Sequence, residues 1–182
     1  MNKVLIPLAD GFEEIEAVSI IDVLRRGGVE VVTASLGEDR NVRSAHGIQM
    51  EAEALLPDVL ENEYNAIILP GGGEGTENLM KCEVLHERLR KQKADGHLVC
   101  AICAAPTVLD AIGVLEDEDV TCYPSCAPNM GRRVQNVPVV ADNLVITGQG
   151  PGSAVLFALV VLANLEGDRV AHGVANGMLV EF

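Results

Sequence analysis

Apolar residues in this chain fall into short unbroken runs. Between the runs they recur every three or four positions. Lys3–Leu8, Glu30–Ser35, Ala66–Leu69 and His97–Ala101 are dense in Val, Ile and Leu and are bounded by Gly, Pro or charge. Runs of this kind read as strands buried on both faces of a parallel sheet. Helical periodicity predicts helices over about 14–26, near 55–62 and over about 82–94. Further on it predicts a helix at 104–112, weaker strands near 119–123 and 143–147, and helices over about 153–165 and 168–175. A last short strand is expected through Met178–Val180. Strand and helix in alternation imply right-handed crossovers and a doubly wound α/β sandwich. Val42–Ser44 and Ile48–Met50 flank Ala45-His46-Gly47, the pattern of a small hairpin set off the main sheet. Pro138 confines its stretch to a sheet edge or a loop. Ser153 is a candidate N-cap for the helix after it and Gly167 a candidate terminator. That helix is apolar almost all round, which predicts burial in the core or in a subunit interface. Nothing divides the chain, so residues 1–182 read as one domain.

Composition narrows the picture. Apolar residues make up 48% of the chain but aromatic ones only 3%. The core is therefore built from Val, Ile, Leu and Ala. Thirteen basic residues against 27 acidic ones leave a net charge of -14. That balance opposes binding to nucleic acid or to an anionic membrane. The longest apolar run, Ala154 to Ala163, is half the length of a membrane span. No signal peptide is legible at the start, so a cytoplasmic protein is expected. Five cysteines without a secretory signal point to free thiols rather than a disulfide framework.

Three places carry candidate chemistry. The first is Val99-Cys100-Ala101-Ile102-Cys103-Ala104-Ala105-Pro106, where a strand runs into a cysteine and then into a helix start. Small residues allow a tight turn, and Pro106 suits a first helical turn. The helix end and its free N–H groups are expected to lower the Cys103 pKa and to bind an oxyanion. A buried structural cysteine is the plain alternative, and a redox pair with Cys100 is another. Cys100, Cys103, Cys122 and Cys126 do not match a common zinc module, and no other metal set or nicotinamide site is legible. Cys82 carries no assignment.

The second place is Asp10-Gly11-Phe12-Glu13-Glu14-Ile15-Glu16. At about 100° per residue, Glu16 falls beside Ile20 and Val23 at the edge of the apolar face. A half-buried carboxyl there has its pKa raised and suits general acid/base work. Alternatively Glu13, Glu14 and Glu16 simply complement the positive helix end. The third place is the loop Pro70-Gly71-Gly72-Gly73-Glu74-Gly75-Thr76, just past a strand. It matches neither a dinucleotide fingerprint nor a P-loop. All three places belong to strand ends at one sheet edge, where open α/β sheets bind ligands.

In order along the chain, Gly11-Phe12-Glu13-Glu14-Ile15-Glu16, Asp22-Val23-Leu24-Arg25-Arg26-Gly27-Gly28, Leu69-Pro70-Gly71-Gly72, Ala101-Ile102-Cys103-Ala104-Ala105-Pro106 and Thr147-Gly148-Gln149-Gly150-Pro151-Gly152-Ser153 resemble the DJ-1/ThiJ/PfpI superfamily, close to its DJ-1 branch. The resemblance implies a flavodoxin-like sandwich, usually a homodimer. It implies a nucleophilic Cys103 at a strained elbow, a protonated Glu16 beside it, and backbone N–H groups of Gly72 and Ala104 facing an oxyanion. Glu13, Gly71 and Tyr123 join them as substrate-binding positions. The implied activity is cofactor-independent glyoxalase or deglycase chemistry on small dicarbonyls or glycated groups, in oxidative and carbonyl stress protection. A redox-sensing, chaperone-like role with Cys103 oxidised to the sulfinic acid is the rival. Tyr123 stands where the best-known member has histidine, so base chemistry falls to Glu16. His46 and His86 are expected in peripheral elements and His97 at the far end of the sheet.

Overall fold

The computed structural model describes residues 1–182. In chain order the elements are β1 (Lys3–Leu8), α1 (Glu14–Arg26), β2 (Glu30–Ser35), β3 (Asn41–Arg43), β4 (Gln49–Glu51), β5 (Ala54–Leu55), α2 (Leu56–Val59), β6 (Ala66–Leu69), α3 (Gly73–Met80), α4 (Glu83–Ala94), β7 (Leu98–Ile102), α5 (Pro106–Ala111), β8 (Val139–Asp142), β9 (Val145–Gly148), α6 (Ala154–Glu166) and α7 (Asp168–Gly177). Seven strands form one sheet in the order β5-β2-β1-β6-β7-β9-β8, and β3 and β4 form a separate hairpin. All pairs in the large sheet are parallel except β8 with β9. This is a flavodoxin-like α/β sandwich. No helix is long and apolar enough to cross a membrane.

The strands feed two cores through the period-two alternation of their side chains. Val4, Ile6 and Leu8 of β1 and Cys100 and Ile102 of β7 pack on one face with Ile20, Leu24, Phe157 and Leu162. Leu5, Val99 and Ala101 pack on the other with Leu79, Leu85, Leu89 and Val108. Each fully buried Leu, Ile or Val contributes about 1.5–3 kcal/mol relative to exposure, so the doubly covered sheet is the rigid part of the molecule. The apolar helix α6 is consumed largely by this packing: Phe157, Ala158, Leu159, Val161 and Leu162 are fully buried. Gly27 makes room for it, since a Cβ there would sit 2.3 Å from Leu162 Cδ1.

Four expectations give way. The glycine-rich segment after β6 is not only a loop, because Gly73–Met80 forms a helix. Its glycines permit close backbone approach rather than mere flexibility: a Cβ on Gly75 would meet Phe12 N at 2.8 Å. The stretch 119–123 is not a strand. Val120 makes an isolated bridge to Val134, and the Thr121 N–H donates to Thr147 Oγ1 at 2.9 Å instead of entering a ladder. Met178–Val180 closes α7 rather than forming a strand. The Val180 N–H reaches back to Ala175 O at 3.0 Å, with Leu179 at φ 58°. Ser153 does not cap α6 with its side chain: its Oγ donates to Gly150 O at 2.9 Å. Gly167, at φ 88°, does end the helix.

Candidate functional site

Strand order reverses around β1: β2 lies on one side of it and β6 on the other. The crevice at the carboxyl ends of such strands is where open sheets bind ligands. Three segments meet there: the turn from β1 into α1, the loop after β6 and the turn after β7.

Hydrogen bonds lock the first two segments together. Glu13 caps α1, with Oε2 accepting from the Glu16 N–H at 2.7 Å. The Glu13 N–H donates to Gly71 O at 3.0 Å. In return the Gly71 N–H donates to Glu16 Oε2 at 2.7 Å. Only glycine fits at 71, because a Cβ would lie 2.6 Å from Cys103 Cβ and 2.9 Å from Ile102 O. Gly72 is at φ 94°, and a Cβ there would approach Gly11 O to 2.2 Å.

Cys103 sits at φ 66°, a left-handed conformation that a side chain adopts at a cost of about 1–2 kcal/mol. The surroundings enforce it. The Cys103 N–H donates to Gly148 O at 2.9 Å, and its carbonyl accepts from the Tyr123 N–H at 2.7 Å. The elbow turns the thiol out of the sheet and toward the N–H groups of Gly72 and Ala104 and the Glu16 carboxyl. Neither of those two N–H groups donates to a backbone carbonyl.

Glu16 is fully buried, not half-buried at a helix edge as its wheel position predicts. Burial is the main reason its carboxyl is raised to about 7, and the neighbouring Glu13 charge adds to it. The Gly71 N–H and the Cys103 thiol pull the other way. Its Oε1 is buried without a hydrogen-bond partner, so nothing there stabilises the charged form. The expected lowering of the Cys103 pKa is overturned. Burial pushes that thiol up to about 12, helped by the charge of Glu16, and the two N–H groups offset only part of it. The Glu16 charge disappears when Glu16 is protonated, so thiol and carboxyl behave as one pair that shares a single negative charge.

The remaining candidates separate. Cys100 is fully enclosed in β7 and burial holds its thiol far up, which disfavours a redox pair with Cys103. All five cysteines are free. Tyr123 meets Cys103 through its backbone. The residue is 45% exposed and lines a cavity of about 310 Å³ with Pro124, Pro138, Gln149 and Pro151. His86 lies against Leu79 O at 3.0 Å. His46 lies on the turn of the separate hairpin, as expected, but its Nδ1 comes within 3.1 Å of Glu14 Oε1. Sequence spacing hides this contact, because the hairpin folds back onto α1 through Gly11 N–H to Arg43 O at 2.7 Å and Ala45 N–H to Phe12 O at 2.8 Å. Burial raises the Glu14 carboxyl, but hydrogen bonds from its own N–H, His46 and Ser44 outweigh it and hold the group below its ordinary value.

Known proteins share both the pattern and the shape. The DJ-1/PfpI family pattern matches residues 2–164. Protein DJ-1 homolog B of Arabidopsis thaliana is 39% identical over 98% of this chain, which spans only 42% of that protein. The glutathione-independent glyoxalase DJR-1.2 of Caenorhabditis elegans is 40% identical, over 91% of this chain and 89% of its own. The structure of oxidized Toxoplasma gondii DJ-1 superposes with a TM-score of 0.95 at 37% identity, covering 100% of both chains.

Proposed function

The chain belongs to the DJ-1/PfpI family, and from that premise we propose that it is a cofactor-independent, cysteine-dependent glyoxalase or deglycase. Its substrate is methylglyoxal or an early adduct of methylglyoxal on an amine or thiol. One observation carries the reading: a fully buried carboxyl, raised to about 7, faces a thiol on a strained elbow at one ligand edge. A carboxyl with that pKa both takes and returns a proton near neutral pH. The glyoxalase name of the Caenorhabditis elegans relative supports the same chemistry.

Glu16 takes the thiol proton as the Cys103 sulfur adds to the aldehyde carbon and passes it to the new oxygen, whose developing charge the Gly72 and Ala104 N–H groups stabilise, so that Glu16 is again a carboxylate. Glu16 removes the proton from that carbon, giving an enediol, and returns it to the adjacent carbon. The product is a lactoyl thioester on Cys103. Water hydrolyses it, so one methylglyoxal and one water leave as lactate and the thiol is restored. For an amine adduct, the amine leaves with a proton. Gly71 holds Glu16 in place through its N–H, Glu13 sets the start of α1, and Tyr123 with its cavity borders the substrate. The chain acts as a homodimer, with Ile15 and Val18 as exposed apolar positions on α1, in a cytosolic setting that keeps its thiols reduced. Lactate production by wild type, Cys103→Ser and Glu16→Gln tests the proposal. Both variants lose turnover, and full activity in Cys103→Ser ends it.

A second reading has its own support in the oxidized state of the Toxoplasma gondii relative. Cys103 would be a peroxide sensor: each peroxide passes one oxygen to sulfur and leaves as water, and two of them give the sulfinic acid. Selective oxidation of Cys103 with negligible dicarbonyl turnover would favour this reading.

A further inference from the structure

We propose that Glu13, Glu14 and His46 form a site for one divalent transition-metal ion of the zinc class, beside the cysteine turn and separate from it. The two carboxylates and the imidazole come from positions more than thirty residues apart, yet one ligand atom from each lies within 4.8 Å of the others. Glu13 and Glu14 are only 6% and 9% exposed. Two buried carboxylates side by side repel each other and lose hydration.

The protein compensates Glu13, whose Oε2 accepts the Glu16 N–H. For Glu14, its own N–H, His46 and Ser44 also stabilise the charge, but one of its two oxygens is left over. Glu14 Oε1 meets His46 Nδ1 at 3.1 Å, while Oε2 is buried with no hydrogen-bond partner. A cation held by His46 Nδ1 and by both oxygens of Glu14 would replace the proton at Oε1 and supply the missing partner at Oε2. The positive end of α1 opposes it, but that end acts as a partial charge of about half a unit against two full carboxylates.

The donor set selects the metal. Two carboxylate oxygens and one imidazole nitrogen suit zinc and its neighbours, whereas magnesium prefers oxygens and water, and copper(I) prefers sulfur. Zinc bonds of about 2.0–2.2 Å require the three donors to draw closer together. His46 supplies that movement, because its side chain is 74% exposed on the hairpin turn. A cavity of about 450 Å³ lined by Asp10, Ser44, His46 and Glu74 opens on the His46 side.

The test is Zn²⁺ titration of the full chain against a chromogenic chelator, with Co²⁺ absorption as a second readout. Wild type and Cys103→Ser bind one ion per chain with equal affinity. His46→Ala, which alters an exposed side chain, and Glu14→Gln each weaken binding about tenfold or more. The Co²⁺ complex lacks the charge-transfer band of a thiolate ligand. Unchanged affinity in His46→Ala, a thiolate band, or equal competition by Mg²⁺ overturns the proposal. No arm reads turnover, so the outcome is independent of the proposed enzyme activity.

Discussion

The buried carboxyl of Glu16 makes the stability of this protein fall as pH rises, and the size of the fall follows from its burial. The group is fully enclosed, and its carboxyl is raised from 4.5 to about 7, first of all by desolvation. Between those two values the folded chain keeps a proton that the unfolded chain has lost. Stability from this group is therefore complete below pH of about 4.5 and is lost as pH rises through about 7. Raising the carboxyl from 4.5 to about 7 amounts to about 3 kcal/mol, a large share of the roughly 5–15 kcal/mol that usually holds a domain together. Glu16→Gln removes the titration and keeps the shape, since its amide oxygen still accepts the Gly71 N–H. The assay is denaturant unfolding of both proteins at intervals from pH 4.5 to 8. The stability of wild type minus that of Glu16→Gln falls by about 3 kcal/mol across the series, while other titrating groups cancel. Repeating the pair in a Cys103→Ser background leaves the fall in place, because burial is its main cause. A difference that stays flat with pH refutes the reasoning, and so does one that rises.

Three further outcomes follow from the same geometry. Glu16→Gln removes the charge that helps hold the Cys103 thiol up; iodoacetamide alkylation of Cys103 at pH 8 speeds up several-fold even as lactate turnover is lost, and slower alkylation would contradict the shared-charge pair. Gly71→Ala drives a Cβ to 2.6 Å from Cys103 Cβ; it costs about 1–3 kcal/mol in denaturant unfolding and at least tenfold in turnover, whereas Gly73→Ala, with nothing within 4 Å of its new Cβ, leaves both nearly unchanged. Leu179→Gly relieves a left-handed residue that is 95% exposed at the end of α7; it stabilises by about 1 kcal/mol and raises the thermal midpoint by about 2–4 °C.

What the chain declares in advance is whatever depends on near neighbours in sequence. The strands β1, β2 and β6 appear where unbroken Val/Ile/Leu runs occur, because each such run is buried on both faces. The same local logic misplaces 119–123 and 178–180, where backbone N–H groups are satisfied by a side-chain hydroxyl and by a helix end instead of a ladder. The site depends on long-range approach, so the sequence shows its components without their environment. The helical wheel puts Glu16 at the edge of an apolar face. Only the folding of the Gly71 loop against it turns an edge position into a fully enclosed carboxyl. The Cys103 turn announces a helix start, which in isolation lowers a thiol pKa. Enclosure by the β1 turn and the glycine loop reverses that sign. The contact of His46 with Glu14 has no sequence signal, because it depends on a hairpin folding back over a helix start. Glycine is the link between the two levels. Gly71, Gly72 and Gly75 read locally as a flexible loop, but each stands where a Cβ would strike backbone. Their absent side chains let three strand ends close to hydrogen-bond distance. That closeness desolvates Glu16, lifts Cys103 and makes the two titrate as one unit.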